Sequence, residues 1–326
     1  MVAIPENLKG FLSRYSTYII AGHREPDGDS IGSALALSSF LQRQGKQTIL
    51  LSAGPFNRTE IKKYSGLFLP SISGLKTEKN TGLVIVDCST MNRLGNAAEG
   101  LEAFPAAIID HHATSDPCGE NSFIISTVPA TAILIQAIIE DSGLPVTSEE
   151  AEYLLFSVCT DTGFFRHLDS SGSETFHSVA RLVEAGANPK KVFLEINGGK
   201  SFGSRIIISR ILSRMVRYYS GKLVISYETM EDTREFGQEG RDSDTLYQVI
   251  QSIAGVEAIV IVRQESETDC SVGFRSLDSI DVSKIASSFG GGGHRQAAGL
   301  SIKGVINELI PQFVEAFAGQ FPGIPA

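Results

Sequence analysis

The sequence predicts a two-domain α/β protein: an N-terminal, mostly parallel sheet flanked by helices, a helical connector, and a smaller C-terminal α/β domain. Three observations carry this reading. The first half repeats a strand-then-helix order, which builds parallel sheets covered on both faces. Gly198-Gly199 interrupts that order, and a new run of strands begins at Lys222. Short segments rich in acids and histidines close apolar, strand-like runs, where side chains gather at one edge of a parallel sheet.

Residues 17–23 (TYIIAGH) read as a buried strand, and 30–44 follow with small and apolar residues at helical spacing, stopped by Gly45. Runs 47–53, 82–88 and 106–112 are further strand candidates, whereas 129–142 and 148–159 read as helices that begin near Pro129 and Ser148. Helical patterns at 173–186 and 189–197 complete a first domain over 1–197. A connector over 198–221 is expected to hold one helix, 201–219, ended by Gly221. The second domain, 222–326, alternates strands at 222–228, 256–265 and 269–276 with helices near 243–253, 281–289 and 305–317.

With 326 residues and 42% hydrophobic content, the chain is long enough to bury two cores. No apolar stretch approaches the ~20 residues that span a bilayer, and no charged leader precedes an apolar core, so a cytoplasmic protein without a membrane partner is expected. The net charge of −9 argues against binding long duplex nucleic acid, but leaves room for a short phosphorylated ligand in a local cationic site. The four cysteines, Cys88, Cys118, Cys159 and Cys270, lack CxxC or zinc-finger spacing, and Cys88 and Cys159 are expected to pack as small buried hydrophobes.

The chemistry concentrates in five segments: His23 to Asp29, Val86-Asp87, Asp110-His111-His112, Thr160 to Gly163, and Gly290 to His294. Four of the six histidines fall inside them. Singly, each acid reads as a turn or helix cap. Together, His23, Asp27, Asp29, Asp87, His111 and Asp161 read as ligands, because several like charges share a site only when cations hold them there. Oxygen and imidazole donors suit manganese, magnesium or a similar divalent ion, and two such ions ~3.5–4 Å apart would support in-line displacement at phosphorus.

The motifs His23-x-x-Pro26-Asp27-x-Asp29-x-x-Gly32-Ser33, Asp87, Asp110-His111-His112, Asp161 and Gly290-Gly291-Gly292-Gly293-His294-Arg295-Gln296-Ala297-Ala298-Gly299 resemble the DHH/DHHA1 phosphoesterases, in order and over nearly the whole chain. Within that family the pattern is most similar to the nanoRNase and pAp-phosphatase branch, which trims very short RNAs and dephosphorylates adenosine 3',5'-bisphosphate. The resemblance implies that His23, Asp27 and Asp87 hold one metal ion and Asp29, Asp87, His111 and Asp161 the other, with Asp87 bridging. The ions would be Mn2+ first, with Mg2+ or Co2+ as alternatives. It further implies that Asp110 orients a neighbouring imidazole and that His112 meets the scissile phosphate.

Four consecutive glycines let backbone approach a ligand closely and offer amides to an anion. The resemblance makes Gly291, Gly292, Gly293, His294 and Arg295 a seat for the terminal nucleotide, with Arg275 on a neighbouring strand binding a phosphate. Arg275 alone reads equally as a strand-end ion pair. Arg210, Arg214 and Arg217 share one face of the expected connector helix and read as a solvated stripe. The expected substrate is short RNA, a linear dinucleotide or pAp, seated between metals and glycine loop. An inorganic pyrophosphatase or polyphosphatase and a non-catalytic nucleotide-binding module remain as alternatives, and a homodimer stays open.

Overall fold

A computed structural model describes residues 3–74, 80–112, 121–237, 241–277 and 280–325. Two compact units are present, Met1–Gly199 and Lys200–Ala326. Cys118 lies outside the described residues.

The first unit is organised by β1 (Thr17–Ala21), β2 (Gln47–Leu51), β3 (Thr81–Val86), β4 (Ala106–Asp110) and β5 (Asn121–Ile124). Their order is β2-β1-β3-β4-β5, with every neighbouring pair parallel. Alternation along the strands sends residues to two cores. Tyr18, Ile20, Val84, Val86, Ala107 and Ile109 face one, while Ile19, Ala21, Leu83, Ile85 and Ile108 face the other. Each such side chain, fully buried, contributes ~1.5–3 kcal/mol, which is why β1 and β3 read as continuous apolar runs.

The first core is covered by α1 (Glu6–Arg14), α2 (Gly28–Arg43), α3 (Thr131–Asp141), α4 (Ser148–Asp161), α5 (Ser173–Glu184) and α6 (Pro189–Asn197). Helices α2 and α4 pack backbone-close because α2 presents Gly28 and Gly32 one turn apart. A Cβ at Gly32 would lie 2.6 Å from the Tyr153 carbonyl oxygen and collide with Ser157 Oγ; one at Gly28 would meet Thr160. The far end of this pair is clamped. Arg43 Nε and Nη2 donate to the two oxygens of buried Glu150 at 2.9 and 3.0 Å, and Glu150 also closes a capping box with Thr147.

The second unit contains α7 (Phe202–Ser213), β6 (Val216–Tyr218), β7 (Leu223–Glu228), α8 (Met230–Phe236), α9 (Ser243–Gln251), β8 (Ala258–Gln264), β9 (Asp269–Ser276), α10 (Val282–Ser288), β10 (Gly292–His294), β11 (Ala297–Lys303) and α11 (Ile306–Ala316). Its sheet runs β10-β11-β9-β8-β7-β6; β7 and β8 are parallel and the other pairs antiparallel. Among the described residues, no helix is long and apolar enough to cross a membrane.

The expected single helix 201–219 is not formed. It stops at Ser213, and Val216–Tyr218 pairs antiparallel with β7 across a turn whose Tyr219, Ser220 and Gly221 all have left-handed backbone. The alternation of Val216 and Tyr218 about Arg217 suits a strand edge, and Gly221 permits the turn. The arginine stripe dissolves with the helix: Arg210 and Arg214 both pair with buried Asp232, and Arg217 sits on β6.

Gly32→Ala is expected to lower stability by ~1–3 kcal/mol, because a backbone carbonyl as well as Ser157 Oγ blocks the added methyl. Urea unfolding should show a reduced midpoint at unchanged slope.

Candidate metal centre and glycine-lined pocket

The C-terminal ends of β1, β3 and β4 meet the first turns of α2 and α3 and the last turn of α4. His23 follows β1 by two residues. Its Nδ1 pairs with the Arg24 carbonyl at 2.8 Å, so with the proton on Nδ1 the Nε2 lone pair faces Asp27 Oδ1 at 3.7 Å and Asp87 Oδ2 at 3.4 Å. Asp27 caps α2 by accepting from the Ser30 amide, so the cap reading and the ligand reading describe one side chain.

Asp29, one residue into α2 and buried, accepts from the amides of Thr131 (2.6 Å) and Ala132 (3.1 Å) at the start of α3 and from Ser33 Oγ. Asp87 follows β3 in a left-handed conformation (φ 60) and accepts from Thr131 Oγ1 at 3.1 Å. His111 follows β4. Its Nδ1 pairs with the Val128 carbonyl at 3.3 Å, and its Nε2 lies 3.3 Å from Asp161 Oδ2, 3.6 Å from Asp87 Oδ1 and 3.9 Å from Asp29 Oδ2. Asp161 reaches the site from the end of α4, the helix expected over 148–159, although its apolar approach also read as strand-like.

Three donor groups result: His23, Asp27, Asp87; Asp29, His111, Asp161; and Asp87, His111, His112, each with its ligand atoms within 4.8 Å of one another. His111 Nε2 is buried without a hydrogen-bond partner, although three carboxylates surround it. A lone pair facing anions is repulsive unless a cation lies between, so the residues fit a divalent ion.

Burial is the largest influence on these groups. It drives Asp161 up to about 7 with help from the charges of Asp29 and Asp27, and raises Asp29; in Asp87 burial and the Asp29 charge together raise the carboxyl well above its usual range. Burial alone would lower His23, but hydrogen bonds and charge from Asp27 and Asp87 carry it up to about 10; the same pairing holds Asp27 low against its burial.

His112 is set apart. Its Nδ1 contacts Asp110 Oδ1 at 2.8 Å, and that bond raises the imidazole while it holds fully buried Asp110 below the usual carboxylate range despite burial. The Asp110 contact at Nδ1 fixes the orientation of the His112 ring.

In the second unit a pocket of about 370 Å3 is lined by Arg275, Gly292 and Gly293 together with Ser243, Tyr247, Arg263 and Gly273. Gly291, His294 and Arg295 belong to the same segment but do not line it; Gly291 packs so tightly that a Cβ would lie 2.5 Å from the Gly299 carbonyl oxygen. The Arg275 guanidinium lies 4.5 Å over the Tyr247 ring, and among the described residues it forms no ion pair, which removes the salt-bridge reading. Tyr247 and Arg263 escaped the sequence reading. The odd-numbered alternation of β8 and β9, which puts Arg263, Gly273 and Arg275 on one face, was the available signal.

A buried carboxylate and imidazole centre at the C-terminal edge of a parallel sheet, with a separate glycine-lined unit, defines a hydrolase class. Residues 17–158 match the DHH family, N-terminal domain, and residues 220–321 match the DHHA1 domain. The chain belongs to the DHH/DHHA1 family of phosphoesterases. It is 29% identical over 299 residues to the bifunctional oligoribonuclease and PAP phosphatase NrnA of Thermus thermophilus, covering 91% of this chain and 88% of the relative. The protein of the same name from Bacillus subtilis is 22% identical over 306 residues, covering 89% and 91%. An exopolyphosphatase-related protein of Bacteroides fragilis has the same fold, with a TM-score of 0.83 at 21% identity over 98% of this chain and 99% of that one.

Because Asp161 titrates near 7 and Asp29, Asp87 and His23 also hold protons more tightly than usual, a cation must displace protons to bind. Mn2+ binding should therefore tighten from pH 6 to pH 8 and release protons at pH 7. Calorimetry in two buffers of different ionisation enthalpy measures this; equal heats would remove the coupling.

Proposed function

We propose that the protein is a metal-dependent phosphoesterase of short nucleotides: oligoribonucleotides, linear dinucleotides such as pApA or pGpG, and adenosine 3',5'-bisphosphate. The observation that carries this reading is the pair of donor groups, His23 with Asp27 and Asp29 with His111 and Asp161, set on either side of Asp87. In this proposal His23, Asp27 and Asp87 hold one divalent ion, Mn2+ by preference, and Asp29, His111, Asp161 and Asp87 hold a second. Such ions, when bound, lower the pKa of water and neutralise charge on a phosphoryl group.

The chain's own residues supply the rest. Asp110 orients His112 and raises its proton affinity, so that the imidazole is suited to stabilise charge on the phosphoryl oxygens or to pass a proton to the leaving oxygen. Asp87 keeps its carboxylate fixed through Thr131 Oγ1 and a backbone conformation that Asp and Asn tolerate better than most residues. Arg275 and the amides around Gly292 and Gly293 offer a phosphate a guanidinium and close backbone approach. The NrnA relatives, matched over most of their length, support oligoribonucleotide and PAP substrates over the pyrophosphatase alternative.

Asp87→Asn should abolish turnover of pAp and pApA in Mn2+ with a cooperative unfolding transition retained. His112→Asn should lower kcat ~10²–10⁴-fold. Product mass spectrometry on a panel of pAp, pApA, pGpG, RNA trimers and pyrophosphate reads both. Release of orthophosphate from pyrophosphate far ahead of any nucleotide product would overturn the reading.

A further inference from the structure

Three loops at the C-terminal ends of neighbouring strands each carry one arginine: Arg24 after β1, Arg58 after β2 and Arg93 after β3. The loops are tied together through their backbones. The Arg24 amide donates to the Arg93 carbonyl at 2.7 Å, and the Glu25 amide donates to the Gly54 carbonyl at 2.8 Å. Gly95 approaches so closely that a Cβ there would lie 3.2 Å from Arg24 Cβ. Glu25 itself takes a left-handed conformation (φ 54) to make this turn. Three flexible cations are thus mounted on one braced rim.

All three arginines are exposed, and among the described residues none of their side chains forms an ion pair or hydrogen bond. Elsewhere in the same unit Arg43 and Arg181 are each engaged by two carboxylate oxygens, of Glu150 and Glu140. The unpaired charges nevertheless act on the centre. Arg58 adds to the forces that hold Asp27 low and works against the rise of Asp161, and Arg93 works against the rise of His112. A carboxylate-rich centre in a chain of net charge −9 repels a polyanion, and cations beside it lower that barrier. Guanidinium groups present paired donors that match phosphate oxygens.

We propose that Arg24, Arg58 and Arg93 form an anion collar that binds the phosphate next to the scissile one, so that the centre selects substrates with at least two phosphates. The collar lies on the β2-β1-β3 side, while His111, His112 and Asp161 come from β4 and α4; a bound chain would therefore lead away over β1 and β2. This rests on the phosphoesterase reading above and adds the substrate feature that the centre selects.

The test compares pApA with ApA, which differ by one terminal phosphate. Calorimetric binding is measured in Mn2+ on the slow His112→Asn background, with and without Arg24→Gln, Arg58→Gln and Arg93→Gln. The triple substitution should weaken pApA at least tenfold and leave ApA within twofold. It should also flatten the salt dependence of pApA binding, since each phosphate contact contributes to that slope. Unchanged pApA affinity, or equal loss for both ligands, overturns the collar. If the triple variant unfolds, Arg58→Gln alone, at an exposed site without partners, carries the comparison with an expected loss of about threefold for pApA. Failure of the phosphoesterase reading is distinct: the unsubstituted protein would release no nucleotide in Mn2+, whatever the binding difference.

Discussion

Asp29 is the side chain on which the first unit's chemistry depends. Its carboxylate is buried at the start of α2 and accepts two amides from the start of α3, so two helix N-termini converge on one negative charge. Each charge-assisted bond contributes ~1.5–3 kcal/mol, enough to fix where α3 begins. Two further positions follow from that start. Val128, just before α3, presents the carbonyl that orients His111, and Thr131, at its first position, presents the hydroxyl that holds Asp87. Asp29 itself is thereby tied to a segment 102 residues away.

The clustered strand-end acids and histidines were legible because burial leaves a clear signature: β1, β3 and β4 are apolar runs, and polar residues that interrupt them at the edge stand out. Their partners were not legible. Val128, Thr131 and Ala132 contribute a carbonyl, a hydroxyl and amides, and backbone groups leave no mark in residue type. Helices α1 and α8 and strands β5, β6, β10 and β11 were missed; β5, β6 and β10 span only three or four residues, and strand pairing is set by neighbouring strands more than by local preference. Asp161 ends the helix read over 148–159, although its apolar approach also read as strand-like, since a buried helix and a buried strand look alike over a few residues.

The second unit reaches its pocket by a different route, through removal of side chains. Gly273 on β9 and Gly293 on β10 leave sheet backbone bare, and a Cβ at Gly293 would lie 2.6 Å from the Ala297 carbonyl oxygen, so no other residue fits there without a shift. Arg263 at the rim is anchored by buried Glu228, whereas Arg275 rests on the Tyr247 ring without a carboxylate. One guanidinium is held by a carboxylate, and the neighbouring one by an aromatic ring and the Phe274 carbonyl. The quadruple glycine run marked this place, although only two of its members line the pocket.

The two halves of the metal centre differ in their resting charge, and the difference follows from what each carboxylate touches. His23 and Asp27 form an ion pair, with the imidazole held up to about 10 and the acid held low, so that half is charged but internally neutralised. Burial raises both Asp29 and Asp161, the latter to about 7. In the proposed two-ion centre, loading the first half competes with the raised proton affinity of His23, and loading the second competes with that of buried Asp29 and Asp161. Asp87 belongs to both, with one oxygen toward His23 and the other toward His111, so a charge entering either half lowers the proton affinity of the shared carboxylate and eases entry into the other. In the proposed two-ion centre, cooperative occupation follows from one side chain reaching two imidazoles.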